Sequence, residues 1–258
     1  MAYRPDAGLI FLSEMSDRDL NDLVNVLIKD KDGSSRLTEE LTGTDAYKKY
    51  APQHSKYWKE IAAEIQCFGA NSLATLFRRG KGVLYREVLT DACSKAKVNF
   101  NAKSDIDKIE DALLMKLLSD ALEKMSDADR EEIAKIVGLS NLKSFSSPAV
   151  MAALQGAFVM GGFASYQIAL MIANAVSRSV LGAGIAFAGN AAIARGLSIM
   201  TGPIGWALTG IWTAVDLAGP AYRVTLPAVV NVALLRKQHQ AMKQKVWENI
   251  QKEMGKSA

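Results

Sequence analysis

A chain of 258 residues can form one large domain or two small ones, and it is long enough to bury a real core. Its net charge of +4 and charged fraction of 22% are ordinary, so whole-chain electrostatics gives no reason to expect a nucleic-acid partner. Cys67 and Cys93 belong to no CxxC pattern and read as buried thiols of a reducing compartment, and the opening MAYRPDAGLIFLSEM fits no secretory signal peptide.

The helical period dominates, and no alternating Val/Ile/Thr-rich run argues for a sheet. Ser16 is the expected N-cap of a first helix, with Asp19 in its third position and Leu20, Leu23, Val24, Leu27 and Ile28 on one face. KDG is expected to end it at Gly33. Pro52 then separates a short helix from one presenting Tyr57, Ile61, Ile65 and Phe68. RRGKG at 78–82 reads as a basic loop, and VLYREVLTDACSKAKV as a further helix. Ser104 with Asp107, and Ser126 ahead of a helix stopped by Gly138, complete a set of about six amphipathic helices in the first 143 residues.

Those 143 residues carry 46 charged side chains, whereas 144–235 holds only Arg178, Arg195, Asp216 and Arg223. Pro148 marks a helix start, and no charge occurs from Ser144 to Ser177. A continuous helix over 149–177 would be about 43 Å long, against about 30 Å of bilayer hydrocarbon. Small residues recur every fourth position at Ala153, Ala157, Gly161, Ser165, Ala169 and Ala173, then at Gly184, Ala188, Ala192 and Gly196. Such a stripe lets helix backbones approach closely, in lipid or in a tight soluble bundle. The expectation is a hairpin of 148–177 and 179–199, a third helix over 203–218, and a fourth from Ala221 through Pro227 to about Glu253.

Asp216 and Arg223 are isolated in apolar sequence and form a candidate buried pair across Gly219-Pro220. The last helix turns from apolar to basic. Arg236, Lys237, Lys243 and Lys245 are expected to meet an anionic surface. The segmentation is therefore 1–45, 46–143, 144–235 and 236–258, in an all-α multi-helix bundle whose amphipathic N-terminal part joins a C-terminal apolar hairpin plus two helices.

Signatures of catalysis are missing. His54 and His239 stand far apart, DKDG at 30–33 lacks the rest of a calcium loop, and the carboxylates of 104–132 read as solvated faces. GAGIAFAG follows no strand. No enzyme activity, metal or cofactor is expected.

Three stretches carry a resemblance: YRPDAGLIFLSEMSDRDLNDLVNVLIKDKDGSSRLTEELT, WKEIAAEIQCFGANSLATLFRRGKGVLYREVLTDACSKAKVNF, and GPIGW with AGPAYRVTLPAV. Together they resemble the YaaW family of bacterial proteins, whose middle part is grouped with ubiquinol–cytochrome c assembly chaperones. The resemblance implies an all-helical protein of the bacterial cytoplasm or inner-membrane face, and carries over no catalytic residue. Two functions are compatible with these features. The first is a membrane-associated or membrane-inserting protein, oligomeric and pore-forming or membrane-remodelling, in contact with a bilayer. The second is a soluble, oligomeric, chaperone-like interaction module whose apolar helices are its core. Self-association fits both, and the second adds a protein partner.

Overall fold

The computed structural model describes residues 2–30, 33–36, 39–69, 82–181, 199 and 222–255. Every named element among the described residues is a helix, and the one β-type pairing with both members described is an isolated bridge between Lys29 and Ser35. Six helices precede residue 143: α1 (Asp17–Ile28), α2 (Asp45–Tyr50), α3 (Trp58–Gly69), α4 (Tyr85–Lys95), α5 (Ile106–Leu122) and α6 (Asp127–Ile136). Three follow: α7 (Ser147–Met160), α8 (Gly162–Leu181) and α9 (Tyr222–Gly255).

Local chemistry explains the starts. The Ser16 and Asp19 side chains each accept the other's backbone N–H, and Ser126 with Asp129 repeats that reciprocal box at α6. The expected box at Ser104 is displaced: α5 begins at Ile106 behind Asp105, whose side chain makes no capping bond, and Asp107 accepts from the Lys108 amide instead. The first helix also closes earlier than KDG suggested, at Ile28, because Lys29 is extended and pairs with Ser35.

The expected single helix over 148–177 is two helices. Gly161 (φ 75°) and Gly162 (φ 67°) both occupy the left-handed region that only glycine adopts cheaply, so the chain turns there instead of continuing. This leaves helices of 14 and 20 residues. Among the described residues no helix is long and apolar enough to cross a membrane. The second arm of the hairpin and the helix over 203–218 lie outside the described residues.

α8 and α9 form the central antiparallel pair. Asn231 donates to Ser177 at one end, and Gly162 lies against Gln244 at the other. The interior half of α9, from Val224 to Leu235, is buried on every side, as is α8 from Gln167 to Ser177. Helices apolar all round belong in a core. α9 also packs on α1, α3, α4 and α5, so the charged and the apolar halves of the sequence share one hydrophobic core. Tyr222 adds a polar anchor by donating to the Ala92 carbonyl at 3.0 Å.

A close crossing fixes the chain entering α4. Gly82 passes over α3 so tightly that a Cβ there would lie 2.5 Å from the Gln66 Cβ and 2.7 Å from its carbonyl carbon. Gly82→Ala should lift this loop, break the 3.1 Å bond from the Val83 amide to the Gln66 carbonyl, and cost about 2 kcal/mol in urea unfolding.

Candidate interaction site

Among the described residues, large apolar side chains cluster in solvent along the end of α9 and at the α7–α8 turn, and their placement depends on what anchors α9. Its middle carries a buried charge network. Glu110, almost fully buried on α5, receives Arg236 through both oxygens at 2.7 and 3.2 Å and the Tyr85 hydroxyl at 2.7 Å. Arg236 also donates to the Gly8 carbonyl, and its guanidinium sits 4.3 Å from the centre of the Phe11 ring. One residue on, Lys237 pairs with Asp111 at 2.7 Å and covers the Phe158 ring. Burial pushes the Glu110 carboxyl up, and Arg236 and Tyr85 oppose it. Asp6 ties the N-terminal segment to the same region by accepting from the Gly8 and Tyr85 amides and from the Gln66 side chain.

Beyond this clamp α9 leaves the body. Every residue from Met242 to Met254 is exposed, and Met242, Val246, Trp247, Ile250 and Met254 are large apolar ones. On the α7–α8 side of α9, the Gly161-Gly162 turn presents Val159 and Met160, each 80% exposed, and Phe163, 63% exposed. Exposed apolar groups clustered in this way mark interaction surfaces.

Arg236 and Lys237, expected to face an anionic layer, are turned inward because each finds a carboxylate on α5. Lys243 reaches Glu14 at 3.3 Å, and Lys245 is exposed. Of the small-residue stripe, Ala157, Ser165, Ala169 and Ala173 are buried within the protein, Ala153 is half-buried, and Gly161 is the turn itself. Gly184, Ala188, Ala192, Gly196 and Asp216 lie outside the described residues, and Arg223 is exposed at the start of α9. Glu110 and Asp111 are not the solvated carboxylates expected of 104–132. Their register gave a signal, since Glu110 falls among Ile109, Leu113 and Leu114 on the buried face.

Two other polar clusters are built into the fold. His54 is buried, contacts the Tyr57 hydroxyl and Asn21, and burial lowers its pKa. Glu64, buried on α3, accepts the Glu40 amide at 3.1 Å; burial pushes its carboxyl up to about 7, and the charges of Glu39 and Glu40 add to the effect. Burial likewise pushes the thiols of Cys67 and Cys93 up, to about 11 and about 12, which leaves them inert as nucleophiles. Among the described residues no three His, Cys, Asp or Glu side chains are grouped to hold a metal ion.

Comparison with known proteins places this geometry. Residues 53–230 match the family described as ubiquinol-cytochrome C chaperone, and residues 3–37 match a domain of unknown function. A UPF0174 protein of Helicobacter pylori is 46% identical over 236 residues, covering 92% of this chain and 93% of that one. A second from the same species is 42% identical over 209 residues, covering 80% of this chain and all of its own length. The UPF0174 protein YaaW of Escherichia coli is 30% identical over 240 residues, covering 91% of this chain and 95% of its own. No solved structure matches.

Proposed function

Since the chain belongs to the UPF0174 family and, through residues 53–230, to the ubiquinol-cytochrome C chaperone family, we propose that it is a non-enzymatic, chaperone-like module that holds an apolar segment of another protein. The family match favours this over membrane insertion. The observation that carries the reading is the α7–α8 turn. Val159, Met160 and Phe163 are held out to solvent by two left-handed glycines, and they lie inside the matched span. Presenting three large apolar side chains to water has no stabilising role in the free protein, whereas a client's apolar helix or strand would cover them. The turn is well supported, because Phe158 just before it is buried under Lys237.

A binding titration against a permanently unfolded probe, reduced α-lactalbumin, tests this. The wild-type chain should bind it, and Met160→Asp combined with Phe163→Asp should weaken binding by about tenfold or more. Both positions are exposed, so the unfolding midpoint should stay unchanged. Equal binding by the variant, or none by the wild type, overturns the reading.

A further inference from the structure

The projecting end of α9 lies outside the span matched to the chaperone family, and its apolar side chains are exposed, so it calls for an occupant of its own. Residues 242–254 make about 20 Å of helix that touches the body only near its start, and an isolated helix of that length is marginal in water. Met242, Val246, Ile250 and Met254 recur every fourth residue, with Trp247 beside them. At about 100° per residue they form one arc, and the same arc contains Lys243 near one end and Glu253 near the other. Lys245, Glu248 and Lys252 fall on the opposite face.

That arrangement is symmetric about position 248. We propose that a second copy of the chain covers this helix, the two α9 ends pairing antiparallel about a two-fold axis. The pairing sets Met242 against Met254 and Val246 against Ile250, and brings each Lys243 to the other copy's Glu253. A two-fold interface needs such a self-complementary surface. The body supplies a continuation. Lys243 and His239 both reach Glu14, at 3.3 and 3.0 Å, which places the turn at Ile10–Glu14 on the side of the seam. The partner's tip therefore runs onto Ile10, itself 56% exposed. An anionic bilayer is the poorer occupant: the projecting stretch holds three lysines against two glutamates, a small excess of positive charge, and the arc that would insert carries Lys243 and Glu253.

Sedimentation of the full chain at increasing concentration tests the proposal. A seam this small predicts a weak dimer whose population rises with concentration. Lys243→Glu and Glu253→Lys each place like charges together twice and should weaken self-association about tenfold. Mixed in equal amounts, the two variants regain opposite charges at both contacts and should form a heterodimer of near wild-type affinity. Glu253→Lys leaves the Glu14 contacts intact, which separates the seam from effects on the body. A wild-type chain that stays monomeric, affinities that ignore the swaps, or monomers that bind anionic phospholipid vesicles with Trp247 buried in them would each overturn the pairing. The Met160 and Phe163 variants should dimerise normally, so a failure of client binding and a failure of pairing are read separately.

Discussion

Arg236→Met is expected to destabilise the fold by about 3–5 kcal/mol, the largest effect of any single substitution considered. The guanidinium is the counter-charge of a glutamate that is almost wholly buried, and it also satisfies the Gly8 carbonyl and stacks on Phe11. Removing it strands the Glu110 carboxylate in the core with Tyr85 as its remaining described hydrogen-bond donor. Pairing Arg236→Met with Glu110→Leu should recover most of the loss, because the cost lies in the uncompensated charge and not in an absent attraction. Urea unfolding midpoints of the two single variants and the double form a cycle that checks this. An additive double variant would contradict it.

The second large effect depends on pH. Glu64 titrates near 7 in the folded protein through burial, against an ordinary value of 4.5. Its folded pKa is raised, so the folded state holds the proton more tightly than the unfolded chain. The stabilisation is complete below about pH 4.5 and is lost as pH rises to about 7. The loss amounts to about 3 kcal/mol. Glu64→Gln keeps an acceptor for the Glu40 amide and removes the ionisation. The variant should match wild type near pH 4 and exceed it by about 3 kcal/mol at pH 8, a rise in melting temperature of about 6–10 °C. A constant difference between the two proteins across that range would assign the effect to packing instead.

Much of the fold was legible locally. Ser16 with Asp19 and Ser126 with Asp129 announced two helix starts, and the apolar period announced the faces those helices bury. Pro148 marked the start of α7. The break at Gly161 was hidden because a glycine at every-fourth spacing satisfies a packing stripe and a turn equally well, and only the backbone angles decide between them. The candidate site was less legible for a different reason. Arg236 and Lys237 follow an apolar run and open a basic tail, which is also the pattern of an interfacial helix, while their carboxylate partners lie 126 residues earlier. No window of sequence contains both members. Exposure of Val159, Met160 and Phe163 was equally invisible, since apolar residues at a turn inside an apolar region look like core.

The position of α9 also fixes the order in which the protein acquires its structure. Its contacts join Tyr222 to Ala92, Arg236 to Glu110 and Arg236 to Gly8, spans of 130, 126 and 228 residues. Contacts that distant slow folding, because chain closure must precede the interactions that reward it. During synthesis, α1, α4 and α5 emerge long before the helix that covers them. A nascent chain stalled ahead of residue 222 would display their apolar faces, so the protein is itself a candidate for assistance on the ribosome until its last helix docks.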